Sequence, residues 1–272
     1  MDYRIRRFDV VESTNTTCRE LAAAGADEGL VVLAVAQTAA RGRLGRRWHS
    51  PSGGLWFSLL LRPDIPAADA PVLVMPAGMA VAGAVESVTG LRPLLKWPND
   101  CLVRDRKIAG ILCEAACSGK RLEYVVLGVG VNVNNSFAGA EANGMERTAA
   151  CVPPEPDGCH AAIDWESASA PPGALLDLCG GPVDAERLLD EFLLKFQTLR
   201  RRVADGLRGE LVSEWTARSA TVGKRVRILT GDASRCEVEG TAVGIDSDFA
   251  LQVRTATGDI ARVVCGDCVH VQ

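Results

Sequence analysis

Four arginines, two glycines and a tryptophan fall within residues 40–48 (ARGRLGRRW), and no acid occurs between Leu30 and Pro63. Guanidinium groups on a flexible backbone repel one another and bury poorly, so packing does not account for the segment, whereas an anion does. Arginine offers a planar fork of donors matched to carboxylate and phosphate. Glycine lets the backbone approach a ligand closely, and successive N–H groups can form an anion-holding concavity. Trp48 supplies a flat face on which a base could stack. Taken alone, the segment reads equally as a phosphate or nucleotide site and as a solvated basic loop.

Three further clusters carry chemistry. Lys96-Trp97-Pro98-Asn99-Asp100 sets a base, an aromatic and an acid around a proline that excludes a helix interior. Asp100 could hold Mg²⁺ or orient an amine, or could simply close an Asx turn. Lys107 precedes an apolar run containing Gly110, which leaves room for a ligand. Gly128-Val129-Gly130-Val131-Asn132 ends a long apolar run, and alternating glycines inside a strand imply that something approaches the backbone.

These clusters need elements to hold them. Residues 30–37 read as a buried strand that delivers the arginine loop. Ser13-Thr14-Asn15 offers N-cap groups to a helix through about residue 24, with Gly25 at its end. Strands are expected over 55–61, 108–114 and 122–133, and a helix over 70–89 from apolar residues at three- and four-residue spacing. Residues 135–182 hold six of the 13 prolines, seven acids and one base, and read as an irregular insertion outside the site. A helix resumes at Asp184, with Leu188, Phe192, Phe196, Leu199 and Val203 on one stripe, and a shorter one covers 211–217. After about residue 220 short β-runs (224–228, 236–245, 249–254, 260–265) alternate with turns, the pattern of a small β-barrel.

Composition bounds the rest. In 272 residues, 30 basic and 34 acidic side chains leave a net charge of −4, which gives no general attraction to nucleic acid or an anionic membrane. No stretch is expected to be long and apolar enough to span a bilayer, and the N-terminus lacks a signal-peptide core. The expected location is the cytoplasm, with the ten cysteines reduced. Cys265 and Cys268 have zinc-knuckle spacing but find no second half among His49, His160 and His270.

In this order the clusters resemble the biotin protein ligases (biotin–[acetyl-CoA-carboxylase] ligases). The resemblance rests on Ser13-Thr14-Asn15, Gln37 ahead of Arg41-Gly42-Arg43-Leu44-Gly45-Arg46, Trp48, Lys96 to Asp100, Arg106 to Gly110 and Gly128 to Asn132. It covers residues 8–134 closely and resumes from 185 to the C-terminus. It implies an α+β fold: a class II aminoacyl-tRNA synthetase-like mixed sheet with helices over 1–218, and an SH3-like β-barrel over 219–272. The implied reaction uses ATP to convert biotin to biotinyl-5′-AMP, then transfers biotin to a lysine of a carboxylase carrier domain, with Mg²⁺ as cofactor.

By the same resemblance Ser13, Thr14, Asn15 and Gln37 hold the biotin rings. Arg41, Gly42 and Arg43 cover the carboxylate and adenylate, and Lys107 contacts the carboxylate and α-phosphate. Arg46, Trp48, Lys96, Asn99 and Asn132 belong to the ATP side, and Asn99 and Asp100 are the candidates for Mg²⁺ and for receiving the acceptor lysine. Lys107, Arg43 and Asp100 are the implied catalytic set. Ala40 stands where the family usually has glycine. Because residues 1–12 lead straight into the catalytic pattern, the form expected is the one without an N-terminal DNA-binding region, with no DNA and no membrane as partners. Lipoate ligases and octanoyltransferases share the superfold and the acyl-adenylate logic but lack the tandem Gly-Arg loop and the Lys-Trp-Pro-Asn-Asp motif. A non-catalytic biotin or nucleotide sensor is the alternative of another class.

Overall fold

The computed structural model describes residues 1–118, 121–137, 170–230 and 235–271. Seven strands form one mixed sheet: β1 (Arg4–Val11), β2 (Leu30–Gln37), β3 (Leu55–Leu61), β4 (Leu94–Lys96), β5 (Asp100–Val103), β6 (Arg106–Ser118) and β7 (Arg121–Val131). Their order is β1-β2-β3-β7-β6-β5-β4. β1 and β2 run parallel, joined by helix α1 (Thr14–Ala23) in a βαβ unit, and every other pair is antiparallel.

The two faces of this sheet differ, and the difference makes the site. Against one face pack α2 (Val74–Thr89) and α4 (Ala185–Ala204). α4 begins on Asp184, whose side chain accepts from the Arg187 N–H, a true N-cap. It buries Leu188, Leu189, Phe192, Leu193 and Phe196, each contributing about 1.5–3 kcal/mol by leaving water. α2 is rich in Ala and Gly, so it packs close to the sheet, and it stops at Gly90 in the left-handed conformation (φ 73°). Among the described residues the opposite face carries only the helix α1, over a smaller cluster of Cys18, Leu30, Val32, Leu60, Tyr124 and Val126. The rest of that face is left for a cleft.

Three expectations need correcting. The helical stretch Ala67–Thr89, 23 residues with mean hydropathy 1.6, is long and apolar enough to cross a membrane, contrary to the sequence reading. It is 61% buried inside the protein, so its apolar composition serves the core. The insertion 135–182 lies mainly outside the described residues, but its last part is ordered structure. Helix α3 (Leu175–Cys179) follows a bridge between Pro172 and Lys107, and Leu175 is fully buried. Proline carbonyls still accept hydrogen bonds, which is how Pro171 takes the Lys107 N–H at 2.8 Å. Finally, β1, β4 and β5 are strands that sequence periodicity did not resolve.

Beyond α5 (Arg208–Ala217), five strands form a separate antiparallel sheet: β8 (Arg225–Thr230), β9 (Arg235–Ile245), β10 (Leu251–Thr255), β11 (Ile260–Val263) and β12 (Asp267–Val271). Their order is β11-β10-β9-β8-β12. The expected run over 249–254 starts two residues later because Phe249 turns through the left-handed region (φ 67°). β12 had no sequence signal, and it brings Asp267 and Cys268 to the cleft.

Candidate active site

A single row of paired residues crosses the open face of the large sheet. Lys96 pairs with Asp100, Asp100 with Gly110, Gly110 with Gly130 and Gly130 with Trp56. Directly paired residues share a face, so a cation, an acid and two bare glycine positions lie side by side. The next row on the same face runs Ser58, Gly128, Leu112. The glycines are there for space. A Cβ on Gly130 would come within 2.7 Å of Trp48 Nε1, and one on Gly128 within 2.1 Å of Asn15 Oδ1. The close approach expected of the Gly-x-Gly strand is therefore made by Trp48 and Asn15 themselves.

The arginine segment is a miniature hairpin. Arg41 and Arg47 form a β-bridge, and Trp48 N donates to Ala40 O at 2.8 Å. The turn needs left-handed backbone at Leu44 (φ 55°) and Gly45 (φ 74°). Ala40, the departure from the family pattern, is buried and avoids the left-handed region, so it introduces no strain there. Arg43 donates to Asn99 Oδ1 at 3.1 Å and to the Gly266 carbonyl at 2.8 Å. Arg46 pairs with Asp267. The loop thus reaches across to the C-terminal sheet, a contact that sequence reasoning did not foresee because Asp267 is 221 positions from Arg46 and lies in no motif.

Lys107 Nζ sits 2.7 Å from Asp100 Oδ1 and 5.2 Å from the Trp48 ring centroid. Its backbone is clamped on both sides: Gly173 N and Asn132 Nδ2 donate to its carbonyl at 3.0 and 3.3 Å. Asn132 is 3% exposed, does not line the cleft and holds the Lys107 carbonyl from behind. Burial pushes the Lys96 ammonium below its ordinary range, with Asp100 opposing the shift. Burial likewise lowers Arg43, again against Asp100 and with Arg46 adding repulsion. The Cys268 thiol is pushed up to about 12 by burial, which keeps it protonated and unreactive.

The opposite end of the cleft is polar but neutral. Thr14 N and Oγ1 donate to Gln37 Oε1 at 2.8 and 3.1 Å, and Gln37 Nε2 donates to Ser50 Oγ at 2.9 Å. Ser58 Oγ lies 2.6 Å from Asn15 Oδ1 and 2.8 Å from Thr14 Oγ1. Ser13, Thr14 and Asn15 are buried at the start of α1. Ser13 occupies the N-cap position without a side-chain cap bond. The whole cleft encloses about 890 Å³, its open mouth included, and every expected site residue except Asn132 lines it. Among the described residues no three His, Cys, Asp or Glu side chains gather to form a metal cage, so a divalent cation here would take its ligands mainly from a phosphate and water, with Asp100 as the local carboxylate.

The cleft is thus uncharged and hydrogen-bonding where Thr14, Asn15 and Gln37 line it, and cationic where Arg43, Lys96 and Lys107 do. Residues 7–132 match the Biotin/lipoate A/B protein ligase family, and residues 221–271 match the biotin protein ligase C-terminal domain. The biotin–[acetyl-CoA-carboxylase] ligase of Mycobacterium tuberculosis is 34% identical over 98% of this chain and 90% of its own length. That of Paracoccus denitrificans is 33% identical over 91% and 92%. The chain belongs to the biotin protein ligase family. The bifunctional ligase/repressor BirA of Bacillus spizizenii is 46% identical over residues that make up 46% of this chain, and the match spans only 39% of that protein. The fold is that of the biotin protein ligase of Aquifex aeolicus solved with biotin and ATP (TM-score 0.72, 24% identity, 99% of both chains).

Proposed function

We propose that the protein activates biotin with ATP and transfers it to a lysine of a carboxylase carrier domain. The observation that carries this reading is the polarity of the cleft: neutral donors and acceptors on Thr14, Asn15 and Gln37 at one end, and Arg43, Lys96 and Lys107 at the other. A ring system bearing a neutral amide-like group fits the first, and a carboxylate meeting a phosphate fits the second. The biotin carboxylate attacks the α-phosphorus of ATP, a P–O bond forms and pyrophosphate leaves. The carrier amine then attacks the acyl carbon, an amide forms and AMP leaves.

Two anions repel as they meet, and fixed positive charge in a partly dry cleft offsets that repulsion without reorganisation. Lys107 holds the carboxylate and α-phosphate oxygens. Arg41 and Arg43 cover the mixed anhydride and exclude water from it, while Arg46, Trp48 and Asn99 serve the nucleotide. Asp100, held beside Lys107, receives the acceptor ammonium and, with Asn99, a Mg²⁺ carried by the phosphates, which would neutralise charge there.

The large sheet with its helices is read as a class II synthetase-like catalytic domain ending near 218, and the C-terminal sheet as an SH3-like barrel. Free thiols at the described cysteines support a reducing cytoplasm. Pyrophosphate release, measured with ATP plus biotin and with ATP plus lipoate, is the test. Release that depends on biotin is expected. Release with lipoate alone would make the chain a lipoate ligase, and none with either would leave a sensor.

A further inference from the structure

Glu114 lies outside the cleft wall but touches two things that form it. It follows Gly110 and Leu112 along β6 on the cleft face of the sheet, and its side chain is 29% exposed. Its Oε2 accepts from Asn15 Nδ2 at 2.7 Å, and its Oε1 lies 3.9 Å from Arg41 Nη2. One carboxylate thus faces both the buried start of α1 and the arginine hairpin.

We propose that Glu114 is a positioning residue for the biotin end of the cleft, fixing the donor and acceptor pattern through Asn15 and tethering Arg41 above it; the proposal rests on the biotin reading given above. A terminal amide has two nearly isosteric orientations, and only its partners choose between them. A carboxylate accepts and cannot donate, so Asn15 must turn its NH₂ toward Glu114. Its carbonyl then faces Ser58 and draws the Ser58 hydroxyl proton. With its one proton on Asn15, Ser58 Oγ can only accept from Thr14 Oγ1, whose own proton is shared between Ser58 and Gln37 Oε1, while the Thr14 backbone N–H independently holds Gln37 Oε1. One charge at the edge of the cleft thus sets the sense of the hydrogen bonds from Asn15 through Ser58 to Thr14. Gly128 enforces the same geometry, because Asn15 Oδ1 occupies the space where any larger residue would place its Cβ.

The test is steady-state pyrophosphate release with biotin and ATP varied separately, for wild type, Glu114→Ala, Glu114→Gln and Glu114→Asp, with thermal melting of each. Biotin-dependent release by wild type is the control on the biotin reading itself, so a failure there is distinguishable from a failure at Glu114. Glu114→Ala should raise KM for biotin about 10- to 100-fold, the fold equivalent of one hydrogen bond to a charged group. KM for ATP should rise several-fold less than KM for biotin, because Arg43, Lys96 and Lys107 keep their contacts and only Arg41 loses its tether. Glu114→Gln, nearly isosteric, allows the amide chain to reverse and should raise KM for biotin by less than Glu114→Ala but at least about threefold. Glu114→Asp, which keeps the acceptor charge, should recover part of the Ala defect. A KM for biotin within about twofold of wild type in the Ala variant overturns the proposal, as do KM values for biotin and ATP that rise together. If the Ala variant does not fold, the Gln variant decides alone, and an unchanged KM for biotin in it refutes the role.

Discussion

Lys107→Ala separates chemistry from structure at the reacting centre. The substitution removes a cation that lies 2.7 Å from Asp100 Oδ1 and faces the cleft. The rate of adenylate formation should fall about 10²- to 10³-fold, the usual cost of losing one donor aimed at developing charge. Stability should fall too, because Asp100 loses its closest cation and keeps only the more distant Lys96 and Arg43. Breaking a fully buried pair costs about 3–5 kcal/mol. Here the two side chains retain 21% and 13% exposure, so about 2 kcal/mol is expected, or about 4–8 °C in melting midpoint at this chain length. Adding Asp100→Asn to Lys107→Ala removes the orphaned charge and should restore most of the midpoint while adenylation stays low. The assay is pyrophosphate release with biotin and ATP, beside thermal unfolding of the single and double variants. More than half of wild-type release from the single variant would refute the role given to Lys107. A double variant that recovers release along with stability would show that the single variant's defect was structural.

Arg43→Gly removes the contacts to Asn99 and to the Gly266 carbonyl, each worth about 1.5–3 kcal/mol for a charged donor. The loop should then retain adenylate poorly, so serum albumin incubated with the variant, biotin and ATP should show more biotin on a streptavidin blot than with wild type; equal labelling despite adenylate formation would rule the loop out as the retaining element. Replacing residues 139–168 with a short Gly/Ser linker should leave adenylation within several-fold of wild type, whereas a deletion reaching through 173 should abolish it by removing the Pro171–Gly173 segment that binds the Lys107 backbone. Activity lost in the shorter deletion, with circular dichroism unchanged, would make the insertion functional. Burial lowers the His270 pKa to about 4, helped by Lys96 and Lys224, so the folded chain binds fewer protons than the unfolded chain between about pH 6.5 and 4. Stability should therefore fall as pH drops through that window. Replacing His270 with Gln should flatten the decline, and a slope unchanged from wild type would assign it to other groups.

The sequence by itself determined the family motifs and most of the scaffold around them. The arginine loop stood out because four like charges without an acid pack badly, and the open face of β7 was legible in its alternating glycines, since a missing Cβ is visible in any sequence. Buried strands and the α4 stripe follow from apolar spacing alone, which local physics dictates. Tertiary structure decided what depends on neighbours distant in the chain. Asn132 carries an amide suited to a nucleotide, yet the fold places it behind Lys107, where it holds a carbonyl. Asp267 lies in no motif, yet pairing of β12 with β8 presents it to Arg46. Glu114 reads as one more alternating strand residue until α1 packs Asn15 against it. Short strands such as β4 and β5 were hidden for the same reason: three or four residues carry too little periodicity, and it is cross-strand pairing in the folded sheet that makes Lys96, Asp100, Gly110 and Gly130 into one row.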